Sequence, residues 1–190
     1  FYNFTSIFAN PEMVNAVWGP MNRLVNAFIN TSVFTIVCVS LETVLGVAMA
    51  LIMARAFRGR GLIRAAILVP WAIPTIVSAM MWKLIFDSAG VANKILGQTV
   101  LWLGDGPQSQ WAVIIADVWK TAPFIGLLAL AGLQTISTDV YEAARVDGAN
   151  AWQQFTRITL PLVKPALVVA VLFRTLDTLR MFDLPYGLIG

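Results

Sequence analysis

The sequence has no histidine and a single cysteine, Cys38. The first absence removes the commonest metal ligand and general base. The second leaves no disulfide framework and no thiolate metal site. Charge is also scarce: 12% of the 190 residues are charged, half of the about 25% usual in a soluble domain. No P-loop, G-x-x-x-x-G-K-[ST], occurs, so the chain carries no phosphate cradle of that kind. Nor is there an internal repeat, or a serine or metal constellation that would suit an intramembrane enzyme. What is abundant is apolar surface, 58% of all residues. That balance places the chain among membrane proteins before any motif is read. The opening "FYNFTSIFANPEMV" has no basic n-region and no initial Met. No cleavable signal peptide is therefore expected in it, and the chain reads as a fragment of a longer protein.

A spanning helix needs about 20 mainly apolar residues, and four segments qualify as candidates. The first covers residues 27–54 and is interrupted only by Glu42. The second, residues 62–86, has an uncharged centre but contains Pro70 and Pro74, which should bend or unwind it. The third, residues 111–133, carries Asp117, Lys120 and Pro123. The fourth starts at Ala166 and leads into Arg174, Asp177, Arg180 and Asp183. Buried helices of a soluble protein are the weaker explanation of such long, nearly continuous runs.

Lysine and arginine orient these segments. The link "ARAFRGRGLIR" holds Arg55, Arg58, Arg60 and Arg64 without an acid. The loop after the third segment holds Arg145, Arg157 and Lys164, whereas residues 87–110 offer only Lys94 against Asp87 and Asp105. The positive-inside rule puts residues 55–64 and 134–165 in the cytoplasm and the middle link outside. Four crossings satisfy this alternation. Residues 1–26 then lie outside or along the outer interface, and an earlier helix is expected beyond this chain. An anionic-lipid site is an alternative use for the four arginines, but topology needs fewer assumptions.

The loop of residues 134–165 has structure of its own. Ser137 or Thr138 can cap a short helix with Glu142 in its first turns, where a carboxylate suits the helix dipole. That helix should stop at Gly148, a residue tolerant of the left-handed conformation. A second helix, "ANAWQQFTRI", should follow and end at Pro161 on the membrane surface. Ala143 and Ala144 keep the first helix slim on one side, where another protein's groove could close. A helical hairpin resting on lipid headgroups fits the shape equally well.

The spacing here is distinctive: Glu142-Ala143-Ala144, three residues, Gly148, nine residues, then Ile158-x-Leu160-Pro161. It resembles the EAA loop of ABC importer permeases at every signature position. "AFINTSVFT", "LVPWAIPTIVSAMMWKLIFD", "VWKTAPF" and "LFRTLDTLRMFDLPY" resemble the carbohydrate-uptake branch, the last being similar to permeases of trehalose importers. The resemblance implies an all-α, polytopic transmembrane permease fold of the type I importers. It also implies one partial permease domain over residues 1–190, with the coupling loop 134–165 inside it. Such permeases usually have about six helices, so four mark a departure. A glycine-rich continuation beginning at Gly187 would be cut off at Gly190. The implied coupling residues are Glu142, Ala143, Ala144, Asp147 and Gly148. The implied partners are a second homologous permease, two nucleotide-binding subunits that hold ATP and Mg, and an extracytoplasmic sugar-binding protein. The chain itself would carry no cofactor or metal, hydrolyse nothing and bind no nucleic acid, in the cytoplasmic membrane of a bacterium.

Ionisable groups within the bilayer cost about 2.5–3.5 kcal/mol each on insertion scales and ask for a reason. Arg174, Asp177, Arg180 and Asp183 alternate in sign every third residue, so neighbours can pair along a helix. As a group they suit a hydrated substrate path whose carboxylates and guanidinium forks meet sugar hydroxyls; singly, a self-neutralised ladder explains each. Asp117 and Lys120 form another such pair, with structural pairing the safer reading. Glu42 must meet a cation elsewhere, for which a partner permease is a candidate. Trp71, framed by the two prolines, offers a stacking face, although packing is the commoner use. Trp82, Trp102, Trp111 and Trp119 fit interfacial belts. The rival transport class is an ion-coupled secondary transporter, which also uses broken helices and buried carboxylates but has no use for an EAA loop.

Overall fold

The computed structural model describes residues 23–56, 58–104 and 107–189. Residues 1–22, which include most of the stretch expected at the outer interface, lie outside the described residues, as do Asp105 and Gly190. Among the described residues the structure is helical, without strands. In chain order the helices are α1 (Arg23–Ala54), α2 (Arg60–Ala72), α3 (Thr75–Ile85), α4 (Val91–Leu96) and α5 (Pro107–Gln134). They continue with α6 (Thr138–Val146), α7 (Ala151–Gln154), a π turn (Phe155–Thr159), α8 (Leu160–Leu179) and α9 (Asp183–Ile189). Three continuous runs are long and apolar enough to span a membrane: Ala27–Ala54, Pro107–Gln134 and Ala151–Leu179. The bent pair α2–α3 makes a fourth when counted as one span.

Helices α1 and α5 run parallel. Cys38 packs with Ile114 and Val118, while Ala50 and Met53 share a cluster with Ile125 and Ala129. They meet closely at Gly46, where an added Cβ would stand 2.8 Å from Ile125 Cβ and 2.9 Å from the Gly126 nitrogen. Small residues allow such approaches between membrane helices, where dispersion rather than hydrophobicity drives association. Helix α8 runs antiparallel to both. Val163 and Leu167 join the Ala129 and Leu130 end of α5, while Arg174 reaches Asp117. Parallel α1 and α5 therefore end at the same end of the bundle, and α2–α3 must carry the chain back between them.

That return is made in two limbs. Arg64 anchors the first by donating Nη2 and Nε to the Met53 carbonyl at 2.6 and 3.0 Å, which satisfies an orphan acceptor in the last turn of α1. The limb continues to Trp71, whose ring lies 6.0 Å from that of Phe124. It breaks at Ile73–Pro74, where the axis turns by 93°. The expected bend is therefore a sharp corner. Its freed carbonyl, on Ile73, accepts from Lys120 Nζ at 2.5 Å. Helix α3 then packs with α9 and the early half of α5 through Ala79, Ala112, Ala116, Leu184 and Leu188. Beyond it Asn93, buried, accepts from Trp102 Nε1 and the Val100 amide and donates to the Ser88 and Val100 carbonyls.

Two boundaries differ from expectation. The last membrane helix does not start at Ala166, and the preceding short helix does not stop at Pro161. One run is helical from Ala151 to Leu179. Pro161 sits in the first turn of α8, directly after the π turn, in which Leu160 N–H reaches back five residues to Phe155. A register change leaves one carbonyl unclaimed, and proline has no N–H to claim it, so the two irregularities absorb each other. The run then ends earlier than the charged series: Arg180 caps α8 and Asp183 opens α9.

Candidate functional site

The charged residues of the membrane segments converge. Arg174 is 3% exposed, and its Nε and Nη2 grip both oxygens of Glu42 at 2.7 and 2.8 Å. Nη2 also donates to Asp117 Oδ2 and Nη1 to Asp177 Oδ2, each at 3.0 Å. These four bonds take up all but one of the N–H donors of a guanidinium, which has five. Thr121 Oγ1 lies 2.7 Å from Glu42 Oε1 and 2.6 Å from the Asp117 carbonyl, which share its one proton. A bidentate fork suits arginine and carboxylate geometry. Burial makes it obligatory, because any one charge left alone there would be strongly destabilising.

Two expectations are corrected by this arrangement. The cation for Glu42 is Arg174 of the same chain, 132 residues away in sequence, and no partner permease is needed for it. Asp117 turns to Arg174, whereas Lys120 turns to the corner carbonyl of Ile73, so the two do not form the expected pair. Part of the ladder holds: Asp177 bridges Arg174 and Arg180, accepting from Arg180 Nη2 at 3.0 Å. The Arg180–Asp183 step falls across the break between α8 and α9.

A polar cavity of about 320 Å³ opens on this cluster. Its walls bring together Asp117, Lys120, Arg174, Asp177, Arg180 and Asp183, six of the seven residues expected along a substrate path. Its volume is at the lower end of small-molecule sites, about 300–1,000 Å³. The corner at Pro74 contributes Thr75 to the rim. Trp71 does not line this cavity; it packs on Phe124 and is 46% exposed on the bundle surface. Sequence reasoning missed a nearer aromatic. Phe182 lines the cavity and stacks on Tyr186, ring centroids 5.2 Å apart, with both rings exposed. Their i, i+4 spacing beside Asp183 was the available signal. Among the polar groups of the walls, Asp177, Arg180 and Asp183 are exposed, the first two with side chains 54% and 80% exposed.

At the other end of the bundle lies the loop after α5. Helix α6 ends as the spacing predicts. Gly148 has φ 79°, its N–H donates to the Arg145 carbonyl, and the Ala149 N–H donates to Ala144. These are the two bonds of a Schellman stop. Asn150 then opens α7 with a capping box, its side chain and that of Gln153 exchanging bonds with each other's backbone at 2.9 Å. Ser137 occupies the N-cap position in an extended conformation but makes no side-chain cap bond; the first turn is exposed, where water can serve those N–H groups. Glu142, Ala143, Asp147 and Gly148 are exposed, and so is Val146 at 87%. Ala144 faces the opposite way and is buried, so only Ala143 contributes to an accessible slim face.

Residues 42–189 match the model of the binding-protein-dependent transport system inner membrane component. The trehalose/maltose transport system permease protein MalF of Thermococcus litoralis is 51% identical over 170 residues, 87% of this chain and 57% of that protein. The trehalose transport system permease protein SugA of Mycobacterium tuberculosis is 45% identical over 161 residues, 84% of this chain and 52% of that protein. This chain thus spans about half the length of these relatives. In fold it is similar to a bacterial ABC transporter involved in the import of the acidic polysaccharide alginate, with a TM-score of 0.74 at 22% identity, covering 100% of this chain and 68% of the other. The match over most of its length, the crossing helices and the capped loop agree: the chain belongs to the family of binding-protein-dependent transport system inner membrane components.

Proposed function

We propose that this chain forms the core of a permease subunit in an ABC importer that moves a di- or oligosaccharide, trehalose-like in the first instance, across a bacterial cytoplasmic membrane. The observation that carries this reading is the pairing of two features at separate levels of one bundle. A polar cavity lined by accessible acids, cations and an aromatic lies beside the outer half of α5, and an exposed, sharply capped helix lies beyond its far end. Sugar hydroxyls both donate and accept, so Asp177 and Asp183 suit their protons and Lys120 and Arg180 their lone pairs. Phe182 and Tyr186 offer an apolar face for a pyranose ring. The relatives named for trehalose and maltose transport support that substrate class.

In this reading residues 55–64 and 134–165 are cytoplasmic, in keeping with their arginines and with the parallel course of α1 and α5. Glu142, Ala143, Asp147 and Gly148 present the coupling surface, and Ala144 seats the helix from below. ATP and Mg belong to two separate nucleotide-binding subunits. A second homologous permease completes the translocation path, and an extracytoplasmic binding protein delivers the sugar. Closure of the nucleotide subunits moves the coupling helices and turns the cavity outward, an alternating-access cycle of rigid-body type. Uptake of a panel of labelled disaccharides by the full-length subunit in its complex tests the substrate, with trehalose expected to lead. Depleting ATP while ion gradients are maintained should stop uptake. Continued uptake under those conditions would favour an ion-coupled transporter.

A further inference from the structure

Helix α6 is tied to the rest of the molecule in an economical way. Among the described residues, one side-chain hydrogen bond joins it to another element: Tyr141 Oη and Thr159 Oγ1 lie 3.0 Å apart. Thr159 also bonds the Gln154 carbonyl at 3.3 Å. A threonine hydroxyl has one proton, so Thr159 donates to Gln154 and Tyr141 donates to Thr159. This chain of bonds passes through Thr159 of the π turn to Gln154 at its N-cap, and the turn is the one stretch where the run from Ala151 to Leu179 leaves α register. Thr159 is itself 7% exposed and Tyr141 is half-buried, so the contact is partly shielded from competing water. On the far side of the turn α8 continues without another register change, and 15 residues beyond Thr159 it presents Arg174 to Glu42 and Asp117. At 1.5 Å per residue that is about 22 Å of continuous helix, with Pro165 inside it.

We infer that Tyr141, Thr159 and the π turn form the joint through which the coupling helix drives α8, and so repositions Arg174 at the cavity. This rests on the coupling role proposed above for α6. A transmitted displacement needs a stiff element, a point of attachment and a compliant register. Helix α8 is the first and the part-buried hydroxyl pair the second. The π turn is the third, because a bond to the fifth residue can be exchanged for one to the fourth without unwinding the helix. Tyr141 and Thr159 are positioning residues in this scheme and touch neither sugar nor nucleotide.

The test uses the full-length permease assembled with its partner permease, ATPase and sugar-binding protein in proteoliposomes. Tyr141→Phe and Thr159→Val each remove one hydroxyl and keep the shape. ATP hydrolysis is read with and without sugar-loaded binding protein, beside sugar uptake and subunit stoichiometry. Each variant should keep its stoichiometry and its unstimulated hydrolysis. Stimulation and uptake should fall by about fivefold, the factor of one net neutral hydrogen bond. The double variant should fall no further than either single one, and Thr159→Ser should restore parental behaviour. Parental stimulation in both single variants, a double variant as low as the product of the two, or loss of the ATPase from the complex would each overturn the joint. Glu142→Lys serves as the companion: if it abolishes stimulation while the hydroxyl variants do not, the joint alone is wrong. If it too leaves stimulation intact, the coupling reading fails and the joint with it.

Discussion

The charge cluster within the bundle and the loop beyond α5 solve the same problem, satisfying polar groups, by opposite routes. In the cluster the buried polar groups are served across helices: Glu42 from α1, Asp117 and Thr121 from α5 and Arg174 from α8. In the loop nearly every bond closes within five residues, through the Schellman stop at Gly148, the Asn150–Gln153 box and the Thr156 hydroxyl on the Trp152 carbonyl. Water explains the difference. A buried polar atom among apolar helices has no solvent to fall back on, so its partners must be brought from wherever the fold allows. A surface loop can settle for local motifs, which fix its shape while leaving its outer face free for another protein.

The largest expected effect follows from breaking the cluster. Arg174→Ala would leave Glu42 and Asp117, 0% and 2% exposed, without their cation. A loss of about 3–5 kcal/mol is expected, seen as poor recovery and a lowered melting temperature of the detergent-purified complex. Parental melting would mean that the carboxylates are neutralised in another way. The loop should behave differently. Gly148→Val has open space around its new side chain, so its cost is the conformational one, about 1–2 kcal/mol for a left-handed residue. That strain is confined to the end of α6, and the melting temperature should stay near the parent's. Sugar-stimulated ATP hydrolysis should be lost, as it should with Glu142→Lys. Equal melting losses for Arg174→Ala and Gly148→Val would erase the contrast between the regions. The smallest effect on stability should come from Asp177→Asn, at the open edge of the cluster. Its pairing with exposed Arg180 is worth about 0.2–1 kcal/mol. If it meets sugar, the variant should raise the substrate constant more than it lowers maximal uptake. An unchanged substrate constant would remove Asp177 from the path.

The same contrast governs what could be read from the sequence. Gly148 announces the stop of α6, and its spacing to Ile158 and Pro161 carries the family, because both are local signals along the chain. The three long helices are equally legible from hydropathy, and Pro70 and Pro74 foretell the break. The partner of Glu42 is not legible. It lies 132 residues away, and nothing in the i, i+3 pattern of α8 distinguishes a guanidinium that serves its own helix from one that serves α1. The same pattern misassigns Asp117 to Lys120, since the corner carbonyl that claims Lys120 exists only after the chain has bent. Pro161 misleads for the opposite reason: a proline often ends a helix, and here the π turn before it takes up the missing N–H while the helix continues. Trp71 stands apart from the cavity, because an aromatic between prolines says nothing of which side of the break it faces.

Cys38 packs at 0% exposure between α1 and α5, and it is the sole cysteine of the sequence. For mapping sidedness this makes the chain a blank slate, since an impermeant maleimide finds no accessible thiol in the folded bundle. Single thiols introduced by Val146→Cys and Ile95→Cys, at sites 87% and 80% exposed and at opposite ends of the bundle, would be read against no background. Within these 190 residues no cysteine has to be removed first, and the tight crossing beside Gly46 stays undisturbed.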